Sequence, residues 1–65
     1  MKKQELAKRL TETKIKWWTI ADGEDHRGKA RELYKIIMKM NKTEIARNLE
    51  NYEGKLERAK IITVV

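Results

Sequence analysis

Cysteine, serine and proline are all missing from this chain of 65 residues. Without cysteine, neither a disulfide nor a zinc–thiolate knot can brace the fold. The joint loss of serine and cysteine removes the common nucleophiles of acyl transfer. Histidine occurs once, as His26, in a charged stretch that reads as a solvent-facing turn or the first turn of a helix. There is no HxxxH pair, no CxxC, no acidic loop with calcium spacing and no glycine-rich phosphate loop. The sequence therefore reads as a protein that is not an enzyme and that carries no cofactor and no metal. No apolar run approaches the ~20 residues that span a bilayer. Met1-Lys2-Lys3-Gln4-Glu5 is not followed by the apolar stretch of a signal peptide, which places the expectation in the cytoplasm.

What is present is charge. Sixteen lysines and arginines stand against ten carboxylates, for a net +6 and a pI near 9.8. Such an excess favours polyanions, with nucleic acid first and an acidic protein surface as the alternative. The excess is uneven along the chain. Residues 1–20 carry net +4, residues 21–28 net −2, residues 29–42 net +4, and the remainder is neutral. A chain this short buries only about 60% of its unfolded surface, so well-formed helices or self-association must supply its stability.

Apolar residues recur with helical spacing in three segments, and together they predict an all-α, compact three-helix bundle in a single domain. The first helix is expected over 3–21, with Leu6, Leu10, Thr13, Trp17 and Ile20 on one stripe and Asp22-Gly23 as its stop. The second is expected over 24–40, with Ala30, Leu33, Tyr34, Ile37 and Met40 forming its apolar face. Asn41 through Glu44 reads as a capping box that opens a third helix over 42–60, with Met40 and Ile45 as the accompanying staple. Ile45, Leu49, Tyr52, Leu56 and Ala59 form a narrow heptad-like stripe on that helix. The stripe suits one face of a bundle or a seam with a second copy, which would make the protein a homodimer through helix three. Ile61 to Val65 form an apolar tail that either extends the helix or pairs as a short strand.

Two surfaces carry the functional expectations. Arg31, Lys35, Lys39 and Lys42 follow one another at four, four and three residues, a ridge opposite Leu33 and Ile37. Such a ridge tracks phosphates, with Lys8, Arg9 or Lys16 of the first helix in support. Read this way, the chain is a small basic accessory or regulatory protein that binds nucleic acid. The competing expectation rests on the adjacent Trp17 and Trp18. Neighbours on a helix point about 100° apart, so Trp18 pairs with Ile15 in a second apolar spot. That spot is either where a bundle helix touches its second neighbour, or an anchor for a protein partner. In the latter case the chain is an adaptor or inhibitor that sets Trp18, Ile15 and a basic rim against an acidic protein.

Beside the single-helix reading of residues 42–60, Thr43-Glu44-Ile45-Ala46-Arg47-Asn48-Leu49 resembles the first helix of a helix-turn-helix DNA-binding motif. The resemblance spans Thr43 to Ile62. It implies that Ala46 is the small residue at a helix crossing and that Leu56 and Ala59 lie on a recognition helix.

Overall fold

The computed structural model describes residues 2–64, with side chains described for 2–59. Three α-helices follow one another: α1 over Lys3–Asp22, α2 over Ala30–Met38 and α3 over Lys42–Val64, with no strand among the described residues. Both α2 and α3 pack on α1. The core between them is Leu6, Ala7, Leu10 and Ile15 from α1, Leu33 and Ile37 from α2, and Ile45 and Leu49 from α3. Leu10, Ile37 and Ile45 are the largest side chains sealed from solvent.

Contact with two neighbours widens the buried arc of α1 beyond a single stripe. Thr11 and Thr13 are buried as well, and each hydroxyl donates to the carbonyl four residues back, Ala7 and Arg9 respectively, both at 2.8 Å. Those bonds satisfy the hydroxyls without a partner from another helix. Two positions of the expected stripe fare differently. Ile20 is 46% exposed, and the tryptophan packed against the core is Trp18.

The turn after α1 corrects the expected start of the second helix. Gly23 ends α1 in the left-handed conformation at φ 74°, its N–H donating to the Thr19 carbonyl at 2.8 Å. The Asp22 carboxylate then accepts from the Glu24 N–H at 2.9 Å, and the Asp25 carboxylate from the Arg27 N–H at 3.0 Å. These short-range bonds give the backbone an alternative to the helix ladder. Residues 24–26 therefore stay non-helical, a single 3-10 turn follows at Arg27–Lys29, and α2 begins only at Ala30. At its other end the N–H groups of Lys39 and Met40 bond to carbonyls three residues back, which tightens and closes the helix before residue 40.

The boundary of α3 follows the capping-box expectation. Asn41 Oδ1 accepts from the Glu44 N–H at 2.9 Å. The reciprocal bond differs in detail, since the Glu44 carboxylate accepts from the Asn41 side-chain amide at 3.1 Å and not from its backbone. The helix then runs through Glu50 and Asn51 without a break and on through residues 61–64, past its expected end at 60, which resolves the tail in favour of helix; Val65 lies outside the described residues. Residues 43–62 thus supply one helix, and nothing in them identifies a helix-turn-helix.

Candidate nucleic-acid interface

The stripe of α3 is spent inside the chain. Ile45, Leu49 and Leu56 are buried, while Arg47, Glu50, Glu57 and Arg58 occupy the exposed side of the helix. Tyr52 is half-buried, with the ammonium groups of Lys14 and Lys55 lying 5.1 and 5.0 Å from its ring centre. Ile15 is a core residue, only 8% exposed. Trp18 rests on the core and meets the His26 ring edge-on at 5.9 Å. Of the expected protein-binding positions, four are therefore buried, and Tyr52 and Trp18 already have intramolecular partners.

His26 is drawn inward from the solvent-facing position expected of it. Its side chain is 11% exposed, and its Nε2 lies 2.8 Å from one oxygen of Asp22 and 3.0 Å from the other. Asp22, Glu24 and His26 offer ligand atoms within 4.8 Å of one another, a grouping that linear spacing did not suggest. The Asp22 carboxylate already accepts from the Glu24 N–H and meets the His26 ring nitrogen, so these groups lock the loop onto the end of α1. The Glu24 N–H and then His26 hold the Asp22 carboxyl below its usual range. Asp25 sits lower still, at about 2, because the Arg27 side chain and backbone both donate to it.

The basic ridge is fully on the surface. Arg31 and Lys35 project from α2, Lys39 lies just past its end, Lys42 opens α3, and all four are exposed. Residues four apart on a helix are separated by about 6 Å along its axis, comparable to the spacing of neighbouring phosphates along a strand. The supporting cations divide. Lys8 lines a groove between α1 and α2 together with Arg31, Thr11, Glu12, Ala30 and Tyr34. Arg9 is instead paired with Glu53 of α3 at 3.2 Å. Lys16 lines a different groove, floored by Ile15, Ile20 and Leu56, which it shares with the loop carboxylates Glu24 and Asp25. The fold thus gathers Lys8 with the α2 ridge and separates Arg9 and Lys16 from it.

Ion pairing sets Arg9 apart from the ridge but not Lys16, which is also without an ion pair among the described residues. Among the described residues, the salt bridges join Arg9 to Glu53, His26 to Asp22 and Arg27 to Asp25. Lys8, Arg31, Lys35, Lys39 and Lys42 have no carboxylate partner there, although the chain holds ten carboxylates. Periodicity exposed the ridge itself. The meeting of Lys8 and Arg31 depends on where α2 starts, which the side-chain bonds of the loop decide. No protein-family model, curated protein or solved structure matches the chain.

Proposed function

We propose that this is a small nucleic-acid-binding protein of accessory or regulatory type, which holds the phosphate backbone through Lys8, Arg31 and Lys35 of its α1–α2 face, with Lys39 and Lys42 at the turn that follows α2. One observation carries the proposal: these five cations are exposed and lack an intramolecular ion pair among the described residues, while the carboxylate pairs lie on the loop and on the α1–α3 side. Exposed cations without an internal partner are available to neutralise phosphates, and the release of the counterions condensed on the nucleic acid then drives binding. Contacts of this kind to phosphate fix the position of the protein on the strand and carry no sequence information of their own. An adaptor mode has less to work with, because Ile15 is buried and Trp18 is committed to His26 and the core.

Charge reversal tests the reading. Lys35→Glu and Lys39→Glu lie on exposed positions and leave the core untouched. Each weakens binding to DNA or RNA of any sequence and lowers the salt dependence by about 0.7–0.9 per lost contact. Lys16→Glu, on the other groove, has a smaller effect than either. Equal losses at all three positions would remove the proposed face.

A further inference from the structure

We infer that the groove between α1 and α2 receives an unpaired base, so that the nucleic acid held on the ridge is single-stranded where it crosses Tyr34. The inference rests on the reading of the ridge as a phosphate track and adds to it a site for the base. The groove is open to solvent along its length, and its volume of about 390 Å³ gives a base room to lie against one wall. Tyr34 supplies its aromatic wall, half-buried and backed by the core, and is therefore a fixed platform for stacking. Ala30 adds only a methyl group on the same helix and leaves the space open.

The polar groups around the groove sort base from phosphate. Lys8 stands on the α1 side and Arg31 on the α2 side, both exposed and without an ion pair among the described residues. Glu12 lines the same groove and repels a phosphate that would enter it, whereas a neutral base meets no such penalty. The Thr11 hydroxyl is already donated to the Ala7 carbonyl at 2.8 Å, so shape and stacking dominate over hydrogen-bond readout. Arg31 belongs to the groove and to the ridge at once. A strand whose base enters beside Tyr34 therefore has its next phosphates directed toward Lys35 and Lys39. A base inside a duplex is covered on both faces by its neighbours and cannot present one to a recessed ring, whereas an unpaired base can.

The test compares three probes at fixed low salt: a single-stranded oligonucleotide, a fully abasic strand of the same length and charge, and the corresponding duplex. Deoxyribose and ribose single strands are run in parallel. The intact single strand binds about tenfold more tightly than the abasic one. Tyr34→Leu, which keeps an apolar side chain against the core, erases that ratio and leaves duplex binding unchanged. Tyr34→Phe preserves it, because the ring and not the hydroxyl does the stacking. Where Tyr34→Leu fails to fold by circular dichroism, the ratio measured on the unaltered protein decides the matter. Intact and abasic strands bound equally, with strong salt dependence, would overturn the base site and leave the ridge standing. No binding to any of the three probes would overturn the ridge, and the base site with it.

Discussion

Two glycines of this chain do opposite things, and the difference is measurable. Gly23 holds φ at 74°, a conformation that costs a residue with a Cβ about 1–2 kcal/mol. Gly54 lies inside α3 in ordinary helical conformation, and an added Cβ there meets nothing within 4 Å. Gly23→Ala is expected to lower stability by about 1 kcal/mol, and Gly54→Ala to raise it by about 0.5–1 kcal/mol. Thermal melts of the two variants should therefore move in opposite directions, by roughly 4–8 °C per kcal/mol in a domain of this size. The charged loop makes its own prediction. Asp25, held at about 2 by Arg27, and Asp22, also lowered, are carboxylates with depressed folded values. Such groups contribute stability that is fully present above their unfolded pKa near 3.8 and is lost as pH falls through the folded value. Between about pH 4 and about pH 2 the melting temperature of the parent should fall more steeply than that of Asp25→Asn. Parallel curves would mean that the Asp25–Arg27 pair does not persist in solution.

At the scale of the elements, the start of α3 depends on one side chain. Asn41→Ala removes the acceptor for the Glu44 N–H and should cost about 1 kcal/mol, read from urea denaturation. A change within error would mean that packing of Met40 and Ile45 alone sets this boundary. That boundary was legible in the sequence because a capping box is local, with every group lying within three residues of Asn41. The existence of all three helices was legible for a similar reason, since periodicity is a property of each segment alone. The start of α2 was not. Its position at Ala30 is fixed by competition between the helix ladder and the side-chain bonds of Asp22 and Asp25, and propensity gives no relative weight to these. The roles of Trp17, Trp18 and Ile15 were only partly legible, because a second bundle neighbour and an anchor for a partner both fitted the Trp18–Ile15 spot in the sequence. Which of two adjacent tryptophans meets the core depends on where α2 and α3 lie around α1. Ile15 and Trp18 meet the core because α1 is covered by two helices, which is the second-neighbour alternative for that spot.

For the molecule as a whole, a core cluster of eight buried residues among those described is small. At about 0.05–0.15 kcal/mol per residue, a domain of this length has a stability of only ~3–10 kcal/mol. Ile37→Ala empties a fully buried position between the helices and should cost ~2–5 kcal/mol. Most of the variant should then be unfolded at modest urea, and a loss below about 1 kcal/mol would show that the core closes around the gap. The same small core sets out the surface. Both neighbours of α1 direct their apolar faces inward, which leaves the cations of α2 and Lys8 on the outside with no ion pair among the described residues. Whether that face binds a phosphate backbone is the central claim, and the salt dependence of affinity for a single-stranded oligonucleotide tests it most directly. Five contacts at about 0.7 each predict that log K falls against log[salt] with a slope near −3.5. A slope indistinguishable from zero, or no binding at low salt, would contradict it.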